Sequence, residues 1–223
     1  MLTKIFKLIL SACTFFLIQS CTQLTNESSN SLRQTPAWLN LPPPKQAKLI
    51  DSSSSMLTIF VKKSGLLQVL GHDHVIATHD LSGWVLGHEQ ALITLPLTLL
   101  TIDEANLRTK FNLNAEVPED AKIGTRENML EKMLDSKTYP SINIRVISIE
   151  NDPSRFRADV YFQGVVRQYI LPLKISEDKN LMKISGQQVI RLSDFGVKPF
   201  SILGGALSVD DQLSINFEIN TKP

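Results

Sequence analysis

The sequence has 223 residues, 23 basic against 22 acidic side chains, and 43% apolar and 20% charged residues. That length supports one core-bearing domain with accessory segments, and the balance is that of an ordinary globular chain. A net charge of +1 without any DNA- or RNA-binding motif argues against a general nucleic-acid binder.

The N-terminal segment reads as a targeting signal. Lys4 and Lys7 precede the apolar run Leu8–Ile18, LILSACTFFLI. Eleven residues are too few to span a bilayer, which takes roughly 20, and fit the apolar region of a secretory signal. The run continues into LIQSC, ending at Cys21. This resembles the lipobox of bacterial lipoproteins, in which a small residue precedes a cysteine that is acylated and becomes the new N-terminus. Ile18 and Ser20 suit that pattern, and Gln19 departs from it. The resemblance implies a lipoprotein signal peptide over residues 1–20 and lipidation at Cys21. It also implies a periplasmic protein held at a bacterial membrane, the outer one, by its acyl chains. The alternative is an ordinary signal peptide with a chance cysteine. With Cys13 inside the signal and Cys21 carrying lipid, the domain itself has no thiol and depends on its core for stability.

Residues 21–54 read as a tether. NESSNS, LNLPPPK and DSSSS are Ser-, Asn- and Pro-rich, and Pro42, Pro43 and Pro44 stiffen the chain into an extended form. Trp38 and Leu39 stand out in it, either packing on the domain or lying at the lipid surface.

From residue 55 to 221 the dominant period is two. MLTIFV, DLSGWVLG and ALITLPLTLLTID come first. In SINIRVISI, Ile142, Ile144 and Val146 point one way while Asn143 and Arg145 point the other. RFRADVYF places Phe156, Ala158, Val160 and Phe162 on one face, and the last strand alternates Leu213, Ile215, Phe217 and Ile219 with polar residues. Strands with one apolar and one polar face specify an all-β antiparallel fold. About eight strands can bury their apolar faces and remove their edges by closing into a barrel. One segment breaks the pattern: around residues 118–135 a helical insertion is expected, with Ile123, Leu130 and Leu134 on one face. Met129 and Met133 lie beside that face, either filling gaps against the barrel or forming a deformable lid.

Several stretches, taken in order, resemble the YceI family of lipid- and polyisoprenoid-binding proteins. They are SGLLQVLGHDHVI with DLSGWV, then LTIDEANLRTK, then MLDSKTYPSINIRVISI, then FQGVVRQYILPLKI with its glycine–x–x–arginine turn, and finally LSDFGVKPF. The resemblance implies an extended, lipocalin-like barrel with an apolar interior able to hold a long isoprenoid or quinone-like chain. It makes Leu67, Val69, Trp84, Ile142, Ile144, Phe156, Phe162 and Phe217 candidates for the cavity wall. The implied partners are a small amphipathic lipid and, through the acyl anchor, a membrane. A bound isoprenoid lipid is the one cofactor-like group expected. No oligomeric state is implied.

All four histidines, His72, His74, His79 and His88, fall within GHDHVIATHDLSGWVLGH. On a strand, His72 and His74 would share a face. Three readings stay open. They close a turn or line the cavity mouth; they meet a ligand head group, with Arg167 as a further candidate; or His72, His74 and His79 form a metal or haem site of a redox-accessory barrel. The sequence holds no H-E-x-x-H, no G-x-S-x-G and no glycine-rich phosphate loop, so binding is expected and catalysis is not.

Overall fold

Alternation decides the architecture. In the computed structural model the described residues are 35–223. Cys13, Cys21 and the expected signal peptide lie outside the described residues. In chain order the strands are β1 (Lys48–Leu49), β2 (Met56–Ser64), β3 (His74–Thr78), β4 (Ser82–Leu86), β5 (Gln90–Pro96) and β6 (Thr101–Ile102). After two helices follow β7 (Ser141–Ile149), β8 (Asp152–Phe162), β9 (Val165–Pro172), β10 (Lys174–Asp178), β11 (Leu181–Arg191), β12 (Ser201–Ile202) and β13 (Leu207–Asn220). All pairings are antiparallel. The fold is thus all-β and antiparallel, as the period-two pattern requires.

The strands form two sheets, ordered β1-β4-β5-β7-β8-β9 and β10-β11-β13-β2-β3-β6, with β12 added beside β13. Among the described residues no single hydrogen-bonded ring closes them. Among the described residues thirteen strands replace the expected eight or so, for two reasons. Two-residue strands such as β1, β6 and β12 leave no periodic signal. The stretch VVRQYILPLKI, one strand by pattern, bends at Leu173 and contributes β9 to one sheet and β10 to the other.

Sheet ties cluster at one end. The Ile50 amide donates to the Gly83 carbonyl (3.0 Å) at the edge of the first sheet, and Ile50 bridges Thr221 at the end of β13 in the second. Lys48 Nζ reaches Glu177 at 3.0 Å, joining β1 to β10. Here the inward side chains pack solid: Ile50, Val85, Ala91, Val146, Phe156, Met182, Ile184 and Ile219 are buried together. Toward the other end, Ile59, Ile142, Ile144, Val160, Ile190, Ile215 and Phe217 are only half-buried, although they point inward, because they face a void.

The polar face of the first sheet is covered. Arg145 Nη2 donates to Asp159 (2.6 Å), Gln168 Nε2 donates to the same carboxylate (2.9 Å), and the Arg145 guanidinium lies 5.3 Å from the Trp38 ring. Trp38 is buried with Trp84 and Leu92, and Leu39 packs beside them. The structure therefore seats residues 36–41 on the domain; Trp38 and Leu39 are packing residues.

Two helices complete the shell. α1 (Ala105–Lys110) lays Leu107 on Val75 and Ala77, covering the outer face of β3, and the following Phe111 stacks on Phe60 at 5.6 Å. α2 (Glu119–Glu127) continues into a π-helical turn, Asn128–Met133. This is the expected insertion, but Ile123 is exposed while Leu130 and Leu134 are buried. The wider π repeat rotates the later residues inward, so the helical face counted at 3.6 residues per turn does not persist. Arg126 Nε donates to the Leu100 carbonyl (3.2 Å), pinning α2 to the segment after β5.

If Trp38 is part of the domain's packing, Trp38→Ala removes a buried indole. The variant is expected to lose about 3 kcal/mol of unfolding free energy in a urea titration. A change within error would show the segment to be a free tether.

Candidate binding cavity

The void at the open end is a cavity of about 410 Å³. Its wall is aliphatic and aromatic: Leu57, Ile59 and Val61 from β2, Ile142 and Ile144 from β7, Val160 and Phe162 from β8, Ile190 from β11, and Ile215 and Phe217 from β13. Met129, Met133 and Leu134 cover it from the π-helical turn, with Leu95, Leu97 and Leu100 below them. Alternation along each strand puts every second side chain into this space. Tyr169 is the one phenol in the wall. Burial, reinforced by the neighbouring Asp194 carboxylate, pushes its pKa up to about 12, so it stays neutral and donates to Asp194 at 3.3 Å.

Polar groups gather where β2 ends and β3 begins. Lys62, Lys63, His72 and His74 line the cavity there, beside Leu70 and Gly71. The His72 and His74 rings stand 6.5 Å apart. His74 Nδ1 lies 2.6 Å from Oδ2 of Asp103, whose side chain is fully buried. Oδ1 of Asp103 accepts from the Val75 amide (3.0 Å) and from Arg108 Nη1 (2.9 Å). Arg108 in turn donates to the carbonyls of Leu113 and Ala115. Asp103 sits between β6 and α1 with φ 54°, a left-handed conformation that aspartate tolerates better than most residues.

The electrostatics follow from those bonds. Burial alone would push the Asp103 carboxyl up. The hydrogen bonds from His74 and Val75, the charge of His74 and the bond from Arg108 outweigh it and hold the carboxyl below the usual range. An ionised carboxylate only accepts, so the proton in the 2.6 Å contact belongs to His74 Nδ1. Nε2 is then the ring's one remaining polar atom. It has no partner among the described residues, and its side chain lines the cavity. A carboxylate that fixes the tautomer and orientation of a histidine is an ordinary way to aim the other ring nitrogen at a ligand.

Of the residues named from sequence, Ile142, Ile144, Phe162 and Phe217 lie in the cavity wall, and His72 and His74 at its mouth. Phe156 points inward but belongs to the packed end, opposite Leu171 in the β8–β9 ladder. Leu67 and Val69 do not line the cavity. β2 stops at Ser64, the chain turns at Gly65 with φ 91°, and both residues fall in an exposed loop. Trp84 points outward to Trp38, because its neighbour Val85 takes the inward position on β4. Arg167 shares the inward face of β9 with Tyr169 and Leu171 but does not reach the wall; its Nη1 donates to the Val166 carbonyl.

His79 follows the last residue of β3, roughly 16 Å along the chain from His74, and bonds Glu104 at 3.1 Å. His88 lies in the exposed turn between β4 and β5. The set His72, His74, His79 is therefore not brought together, and among the described residues no group of three or more His, Cys, Asp or Glu is placed to hold a metal ion. Asp103, Arg108, Leu70 and Lys63 also belong to the site, and nothing in the sequence marks them as functional residues. His74 and Asp103 are 29 positions apart, and only the β3–β6 pairing makes them neighbours.

The YceI-like domain model matches residues 50–221. The chain belongs to the YceI-like family. No curated protein matches this YceI-like sequence. The solved structures that share its fold include these two. One is a polyisoprenoid binding domain from Saccharophagus degradans implicated in plant cell wall breakdown, with 12% identity and a TM-score of 0.57 over 80% of this chain and 100% of that one. The other is BcnA of Burkholderia cenocepacia, with 13% identity and a TM-score of 0.52 over 78% of this chain and 99% of that one.

The Asp103 node makes a pH prediction. Its folded pKa is lowered, so its stabilisation is complete above the ordinary carboxylate pKa of about 4 and is lost as pH falls through the lower folded value. Asp103→Asn leaves Arg108 buried without its carboxylate, and about 3 kcal/mol of stability is expected to disappear at pH 7. The gap between variant and native protein should narrow on acidification below pH 4, measured by chemical denaturation across pH.

Proposed function

We propose that this YceI-like protein binds and carries an amphipathic lipid with a polyisoprenoid or quinone-like chain, without catalysing a reaction. The observation that carries the reading is the cavity itself: its wall is predominantly aliphatic and aromatic, and its charged and imidazole side chains gather at the mouth. A ligand that fits this pattern has a long apolar tail and a compact polar head. Each tail methylene removed from water contributes ~0.8 kcal/mol, so ten offer about 8 kcal/mol before the cost of immobilisation. A hydrogen bond from the head to His74 adds about 1 kcal/mol. The tail thus sets affinity, and His72 and His74 set orientation. The description of the S. degradans relative as a polyisoprenoid binding domain supports the same ligand class.

In this reading the carrier works in the periplasm, tethered to the outer membrane by lipidated Cys21, where a nearly insoluble molecule must cross water. Cys21→Ala is expected to abolish incorporation of radiolabelled palmitate in growing cells; undiminished labelling would remove the anchor from the reading.

The ligand itself is tested by native mass spectrometry of protein purified without detergent, followed by solvent extraction. A bound lipid at near-unit stoichiometry is expected. Ile144→Trp, which fills the void beside Val160, should cut occupancy at least tenfold, whereas His74→Ala should weaken binding only about three- to tenfold. An empty native protein, or equal occupancy in Ile144→Trp, would refute the reading.

A further inference from the structure

Two loops stand side by side at the open end of the cavity, and they show water an unusual amount of hydrocarbon. In the β2–β3 loop Leu66 is 94% exposed, Val69 80% and Leu70 65%. In the turn between β12 and β13 Leu203 is 66% exposed, with Ile202 beside it. The two loops are locked together. The Leu67 amide donates to the Ala206 carbonyl at 2.7 Å, and Gly65 passes so close to Ala206 that a Cβ would stand 2.5 Å from its oxygen. Leu203 itself adopts φ 52°, a strained conformation for a bulky side chain, and Gly204 and Gly205 continue the left-handed path. The fold therefore holds these side chains out.

We infer that this rim is a membrane-docking surface, and that Leu66, Val69, Leu70, Ile202 and Leu203 enter the interface of a lipid bilayer. The inference goes beyond the lipid-binding reading, because it concerns the outer surface of the loops whatever the cavity holds. Leu70 and Ile202 are exposed and also line the cavity, so the apolar rim joins the cavity wall. A protein partner covering the rim would seal the mouth. A bilayer would place its own acyl region against it. Charge agrees: Lys62 is exposed at the mouth, Lys63 donates to the Gly71 carbonyl at 3.1 Å, and Lys132 lies 5.7 Å from the ring of Phe200, another lining residue. Lysines beside inserted leucines match a surface of lipid phosphates. Three carboxylates also lie at this end, so the leucines carry the insertion and the lysines assist it. Asp73 accepts from the Lys63 amide, Asp210 from the Gln212 amide, and Asp211 from Ser193.

The test is positional, so attachment through the N-terminus cannot imitate it. Full-length protein carrying Cys13→Ser and Cys21→Ser receives a single new cysteine, Val69→Cys in one sample and Asn151→Cys in the other. Asn151 is an exposed turn residue at the packed end. Both are labelled with an environment-sensitive dye and mixed with phosphatidylethanolamine–phosphatidylglycerol vesicles. The dye at Val69 is expected to shift to the blue and to be quenched by lipids spin-labelled in their acyl chains, while the dye at Asn151 does neither. Adding Leu66→Ser and Leu203→Ser should raise the vesicle concentration for the half-maximal shift at least tenfold, with an unchanged melting temperature. No shift at Val69, equal shifts at both positions, or a shift produced by protein concentration alone, which would mean a second copy on the rim, overturns the inference. Lipid still co-purifying in any of those cases would leave the ligand reading standing.

Discussion

Ile50 is bonded to both sheets, and much of the molecule follows from where that happens. Its amide is tied to Gly83 in one sheet and its backbone bridges Thr221 in the other, while Leu173 turns the chain from β9 to β10 at the same end. Two twisted sheets held together at one end can interlock their inward side chains there, as Val146, Phe156, Met182 and Ile184 do. At the other end the same period-two pattern delivers equally apolar side chains to the interior, but they line a space and do not fill it. The cavity is thus a consequence of where the sheets are fastened, not of a special composition in its wall.

The second organising element is Asp103. One buried carboxylate holds β3 through Val75, the segment after α1 through Arg108, and the cavity mouth through His74. It links fold to site directly, since the bonds that stabilise the shell also set which nitrogen of His74 is left for a ligand. A buried charge is costly unless fully partnered, and its partners here come from two elements, β3 and α1. That investment is reasonable for positioning a polar group at the edge of an apolar chamber, and a neutral turn would not need it.

The architecture was legible because alternation is a local property. SINIRVISI and RFRADVYF identify Ile142, Ile144 and Phe162 as companions on one face, and the structure puts them in one wall. The same rule says which residues share a face but not which face is inside, and this is why Trp84 was misplaced: Trp38, from a segment that reads as tether, covers the outer side. Leu67 and Val69, candidates through the family resemblance, miss the wall because β2 stops at Ser64 and leaves both in an exposed loop. His72 and His74 stood out by composition alone. What they do could not be read, because their meaning depends on Asp103 and on a strand pairing with no sequence signature.

These features form one physical picture: a shell fastened at one end and hollow at the other, with charged and imidazole side chains at its mouth. The most direct measurement is a crystal structure of the protein purified without detergent and equilibrated with a long-chain isoprenoid lipid. The expected result is continuous density running between Ile144 and Ile215, with the polar head within hydrogen-bonding distance of His74 Nε2. Ordered water throughout the chamber, or wall side chains collapsed into it with the lipid bound elsewhere, would contradict the central claim.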